Sequence, residues 1–292
     1  MTGKTKSIIK YAFALTLLGV ILHSAGTEKI IGYLKQISPL NWLLALTFAT
    51  LSQLISALRM RFFFRASGFH MNKHYAVVLY YVGAFYNFLL PGGVGGDAYK
   101  VVLVRNHLEM PTMQGVRIML ADRASGLCVI LMIMFAALSQ IDFSRTIAYA
   151  NAWVAAAAII TLVAYVVFSE WLLKQKPRAM LGSLFYSLAA QGLWIATLAA
   201  IWASIGDGTH LLHYVVFYCA ASITGMLPIS VGGLGVKEMT YYYGAEWMKR
   251  FADVAVSPEL GVALSLCLFA MMFLASLPGL LWLEKVVKTK HL

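Results

Sequence analysis

Eight apolar runs, at residues 8–25, 40–58, 75–90, 118–138, 152–168, 181–205, 211–227 and 260–283, follow one another with only short polar joints between them. A bilayer core about 30 Å thick takes roughly 20 helical residues to cross, and most of these runs reach that length. Charged residues are 12% of the chain and hydrophobic ones 61%, more apolar surface than a soluble core of 292 residues can enclose. The sequence therefore predicts an all-α polytopic membrane protein. The formal charge of +11 reads as loop charge that sets topology and meets anionic lipid heads, so no nucleic-acid partner is expected. Cys128, Cys219 and Cys267 lie inside apolar runs without Cys-x-x-Cys spacing and read as small packing residues.

The third and seventh runs are short, and each ends in a Gly-rich break. The stretches from Leu90 to Lys100 and from Leu227 to Lys237 share Leu-Pro-x-x-Val-Gly-Gly-x-x-x-Lys at an offset of 137 residues. Taking both as broken, re-entrant hairpins leaves six full spans. Lysine and arginine then divide into fifteen on the side of both termini and five opposite (Lys29, Lys35, Arg145, Lys249, Arg250), with Lys100, Arg123 and Lys237 inside the membrane. Positive charge marks the cytoplasm, so the expected topology is N-in and C-in, with residues 1–25 an uncleaved first span. Three crossings per half is odd, so halves 1–142 and 143–292 form an inverted-topology repeat within one transmembrane domain. Paired interrupted helices in inverted repeats place a transport site between them near the midplane.

Irregular backbone at membrane depth must be buried in protein or face water. Pro91, Gly92, Gly93, Gly95 and Gly96, with Pro228, Gly232, Gly233 and Gly235, allow tight turns and close approach, and a half-helix starting near Asp97 would aim N–H groups at a phosphate or carboxylate. Close packing between helices is the competing reading of these glycines. Ionisable residues inside spans default to functional candidates: Asp97 and Lys100 at i, i+3, Asp122 and Arg123 in the fourth span, Lys237 and Glu238 after the second break. Structural ion pairing, or snorkelling of Arg123 to the interface, is the alternative. Asn87, Gln53, Ser230 and Gln191 are neutral candidates for the same cavity or for bonds between helices. No nucleophile elbow, phosphate loop or zinc-protease helix occurs, and the Gly93–Ala98 stretch follows no strand as a dinucleotide fingerprint must. Asp207, His210 and His213 read as a helix cap followed by interfacial histidines rather than a metal site. No catalytic residues, metal or cofactor are expected.

At Asn87-x-x-x-Pro91, the Gly-rich stretch closing in Asp97 and Lys100, Asp122-Arg123, and Pro228 to Glu238, the chain resembles the transmembrane region of lysylphosphatidylglycerol synthases, a family of flippase-like membrane proteins. That family commonly shows Gly-Glu before an Arg where this chain has Gly96-Asp97 and Lys100, and Glu where it has Asp122. The resemblance implies movement of a lipid between leaflets, an aminoacylated phosphatidylglycerol in the best-known member and glycolipid, polyprenyl-phosphate or hopanoid pathways in others. It also implies a stand-alone membrane unit without the soluble synthase domain, since only residues 285–292 follow the last span.

The expectation is thus an inner-membrane lipid transporter or flippase whose hairpins cradle a phosphorylated head group in a bacterial cytoplasmic membrane. Lys100 and Arg123 would bind phosphate, with Asp97 and Glu238 orienting bases or carrying a coupling proton. The alternative is a non-transporting subunit that anchors a glycosyl- or aminoacyl-transferase partner.

Overall fold

The computed structural model describes residues 16, 19–20, 22–24, 26–89, 95–143, 148–173, 177–206, 208–227 and 232–282. Most of the expected first span lies outside them, as do Pro91, Gly92, Gly93, Pro228 and Ser230. In order come α1 (Thr27–Gln36), α2 (Pro39–Ala66), α3 (Lys73–Leu89), α4 (Gly95–Leu108), α5 (Thr112–Leu138), α6 (Ala150–Leu173), α7 (Pro177–Ile205), α8 (Leu211–Thr224), α9 (Val236–Ala252) and α10 (Pro258–Ser276), and no strand occurs among the described residues.

Two of the long helices start on the same local chemistry. Ser38 precedes Pro39 and its Oγ accepts from Asn41 N–H at 3.2 Å; Ser257 precedes Pro258 and accepts from Leu260 N–H at 3.1 Å. Serine at the cap satisfies an orphan donor, and proline in the first turn has no N–H to orphan. Five helical segments are long and apolar enough to cross a bilayer: Pro39–Ala66, Thr112–Leu138, Ala150–Leu173, Met180–Ile205 and Pro258–Trp282. They coincide with the expected second, fourth, fifth, sixth and eighth runs. On α6, Trp153, Ile159, Ile160 and Val163 are all more than half exposed. Such a face would drive aggregation in water, and in hydrocarbon it is the required exterior. The chain is a multi-pass, all-α membrane protein.

The two Gly-rich stretches break the helices where expected. At 1.5 Å per residue, α3 and α9 span about 25 Å and α4 and α8 about 21 Å, each short of the roughly 30 Å hydrocarbon core. The arms of each pair, α3 with α4 and α8 with α9, pack on one another as a helical hairpin.

Lipid is as apolar as leucine, so span-to-span contact needs close approach and interhelical hydrogen bonds rather than apolar bulk. The α2–α7 contact supplies both. Ala45, Ala49, Ser52 and Ser56 line one side of α2, and Ser187, Ala190 and Thr197 of α7 hydrogen-bond to α2, all of them buried. Ser52 Oγ donates to the Ala190 carbonyl at 2.9 Å. Around this axis α5 packs on α8, an arm of the second hairpin, and α10 packs on α3, an arm of the first. The core divides accordingly. One cluster gathers Phe63, Phe64, Tyr75, Leu79, Val104 and Ile118 about the first hairpin, and another gathers Ile201, Tyr214, Phe217, Tyr241 and Leu264 about the second.

Candidate functional site

At the first break the chain turns back so closely that a β-carbon on Gly96 would overlap the Gly83 carbonyl of α3, so only glycine fits. Gly96 N–H donates to Asn87 Oδ1 at 3.0 Å, which caps the new half-helix from within. Gly83 in turn leaves the groove that Lys100 occupies: a β-carbon there would lie 2.7 Å from Lys100 Cγ. Lys100 is 4% exposed, with Nζ 3.0 Å from Asp97 Oδ1 and 4.3 Å above the Tyr80 ring. The other carboxylate oxygen of Asp97 accepts from Arg123 Nε on α5. One carboxylate therefore holds two cations.

Asp122 and Arg123 are neighbours in sequence, and about 100° apart around a helix they face different partners. Arg59 Nε and Nη2 reach Asp122 Oδ1 and Oδ2 at 2.8 and 3.2 Å, a planar fork on a carboxylate. Arg59 Nη1 also donates to Ser187 Oγ of α7 at 3.0 Å, and Ser187 Oγ donates to Ser125 Oγ at 3.1 Å. Charge counting had assigned Arg59 to the cytoplasmic flank of its span. It is buried instead, because Asp122 and Ser187 give its guanidinium the partners that burial requires. The signal that could have found it was an acid without a local base: Asp122 has no lysine or arginine three or four residues away in either direction.

The second break uses its glycines differently. Gly232, Gly233 and Gly235 have φ of 61°, 84° and 83°, the left-handed region in which a β-carbon is strained. Gly235 N–H donates to Glu238 Oε2 at 2.6 Å, and Glu238 Oε1 accepts from Ser265 Oγ of α10 at 2.8 Å. Glu238 is wholly buried and committed to capping α9. Lys237 points elsewhere, its stem lying across Gly225 and Gly233, where added β-carbons would come within 2.6 Å of its Cε. Among the described residues its ammonium has no ion-pair or hydrogen-bond partner.

Between the hairpins lies a cavity of about 250 Å³. Asn87, Arg123, Gly232 and Lys237, all singled out from sequence, are on its wall, and so is Gln191. Gly96, Asp97, Lys100, Asp122 and Glu238 are buried and not on that wall, Gly95 opens α4, and Gly233 and Gly235 shape the second turn. Gln53 is buried and not on that wall, and its Oε1 has no hydrogen-bond partner among the described residues. Sequence reasoning did not find Tyr218, Tyr241 and Trp194, because aromatic residues in apolar spans give no local sign of facing a cavity.

Comparison with known families matches residues 7–175 to the family described as lysylphosphatidylglycerol synthase TM region. The chain belongs to that family. Residues 7–175 include the first break, Asp97, Lys100, Asp122 and Arg123, and stop short of the second hairpin. Curated proteins yield no match. Membership of the lysylphosphatidylglycerol synthase transmembrane family places the chain among membrane proteins of lipid biosynthesis and transport.

Proposed function

We propose that this protein moves a phosphorylated lipid between the leaflets of a bacterial inner membrane, with the head group in the cavity and the acyl chains left in lipid. The observation that carries the reading is that one cavity is lined by both broken hairpins and by spans of both halves, and each half brings a cation to its wall, Arg123 and Lys237. Family membership supports a lipid cargo. In this reading the halves 1–142 and 143–292 are inserted in opposite senses and access alternates as one rocks against the other. The matched packing of α2 on α7, and of each late span on the other half's hairpin, supports such a two-fold arrangement. No chemical reaction is assigned to the chain.

Purified protein in liposomes should speed exchange of a labelled anionic phospholipid between leaflets, and Arg123→Gln should slow it. Folded protein that leaves exchange at the protein-free rate would favour the other reading, an anchor for a glycosyl- or aminoacyl-transferase. Insertion is tested separately: a cysteine at Arg105 should react with impermeant reagent only from the cytoplasm, and one at Arg250 only from outside. Labelling of both from one face would remove the inverted repeat.

A further inference from the structure

We infer that the cavity selects a head group of net negative charge that binds through its phosphate oxygens, a phosphate ester without an ammonium group, over an aminoacylated phospholipid. The inference rests on the head-group role proposed for this cavity and narrows its cargo.

The cations and amides of the wall turn donors to the cavity. The hydroxyls of Tyr218, Ser222 and Ser265 donate their O–H to Gln191, the Tyr218 carbonyl and Glu238 and leave only neutral oxygens there. An amide N–H can only donate, so Gly96 fixes Asn87 with its oxygen turned to the backbone and its NH2 group left for the cavity. Gln191 is set the same way, Oε1 accepting from Tyr218 O–H at 2.8 Å. Lys237 and Arg123 are obligate donors, and among the described residues the buried Tyr241 hydroxyl has no partner. Buried donors without acceptors, as the Lys237 ammonium and the Tyr241 hydroxyl are among the described residues, are costly, and a phosphate's oxygens would satisfy both.

The carboxylates that would hold an ammonium are all committed elsewhere. Asp97 lies between Lys100 and Arg123, Asp122 is forked by Arg59, and Glu238 is held by Gly235 and Ser265. None of the three is on the cavity wall. Residues 90–94 and 228–231, outside the described set, contain no acid in the sequence. Four cations (Arg59, Lys100, Arg123, Lys237) thus face three carboxylates around the cavity, an excess of one positive charge that a ligand anion would cancel. A lysyl or other aminoacyl head would instead bring its ammonium beside Lys237 and Arg123. The volume points the same way, because about 250 Å³ is below the roughly 300–1,000 Å³ of sites that enclose drug-sized ligands.

The test is binding of dioctanoyl phosphatidic acid, phosphatidylglycerol, phosphatidylcholine and lysyl-phosphatidylglycerol to the full chain in detergent, with glycerol 3-phosphate as a competitor. Phosphatidic acid and phosphatidylglycerol should bind at least about tenfold more tightly than the two ammonium-bearing lipids. Lys237→Gln should cost the anionic lipids about 10- to 150-fold, the scale of one charge-assisted hydrogen bond, and change the ammonium-bearing lipids less. Equal or tighter binding of lysyl-phosphatidylglycerol, weakened by Gly232→Leu at the cavity wall, would overturn the selectivity and leave the head-group site standing. Lipid binding indifferent to both Gly232→Leu and Lys237→Gln would overturn the site itself. Glycerol 3-phosphate binding as tightly as phosphatidic acid would uphold the anion selectivity and remove the lipid from it.

Discussion

Lys100 and Lys237 each follow a Pro and a Gly-Gly pair, 137 residues apart, yet one is ion-paired in place and the other has no ion-pair or hydrogen-bond partner among the described residues. The difference comes from where the nearest acid sits. Asp97 is three residues before Lys100, on the same helix face, and grips it. Glu238 is next in the chain to Lys237, so it leaves the helix in another direction and caps the turn at Gly235. The glycines diverge as well: Gly96 is there because a carbonyl is too close, and Gly232, Gly233 and Gly235 because the backbone turns left-handed. A shared motif therefore marks the place of a break without saying what it does. The first hairpin reads as the rigid partner, and the second as the one that presents charge to a ligand.

The comparison breaks most readily at Gly96. Gly96→Leu should cost more than about 3 kcal/mol, beyond ordinary overpacking, because its β-carbon meets backbone that cannot rotate away. The readout is the yield of monodisperse protein in detergent, and a folded, active variant would mean the arms of the first hairpin separate freely. Asp97→Asn comes next. It leaves Lys100 and Arg123 buried without their shared carboxylate, a loss of about 3–5 kcal/mol that a lowered melting temperature should report. Lys237→Met should do the opposite in lipid-free detergent, holding or raising the melting temperature by removing an unpaired charge. If both variants melted alike, the contrast between paired and unpaired lysines would be wrong.

A smaller effect separates the two kinds of glycine. Gly232→Val should lose about 1–2 kcal/mol to left-handed strain, and Gly232→Asn distinctly less, since asparagine visits that region. At Gly96 asparagine should be no better than valine. Equal penalties for both residues at both sites would erase the distinction. Smallest of all, Lys29→Ala removes an exposed ion pair with Glu259, 2.8 Å apart on the rim, and should leave the melting temperature unchanged. A clear drop there would show that surface pairing between α1 and α10 also holds the fold.

Much of the architecture could be read from residue order alone. The apolar runs located the five described spans, and the Pro and Gly-Gly pairs located both breaks, because lipid tolerates so few alternatives. The i, i+3 spacing likewise anticipated the ion pair of Asp97 with Lys100. Partners 63 and 26 residues apart could not be read this way, and Arg59 with Asp122 and Arg123 with Asp97 appear only once the helices are packed. Arg59 was hidden further by its place at the end of an apolar run, where a snorkelling arginine is the ordinary expectation. Lys237 was misleading for the reverse reason, an acid beside it in sequence that is turned away from it in space.

The groove that Gly83 leaves for Lys100 also constrains how this hairpin can change over descent. While the lysine is present, any side chain at position 83 strikes its stem, so Gly83 cannot be replaced first. Shortening Lys100 removes the nearest atoms that alanine at position 83 would strike, so that step becomes easier only afterwards. Once that alanine is fixed, the lysine cannot return. The pair acts as a ratchet on its lineage, open in one order of substitution and closed in the other.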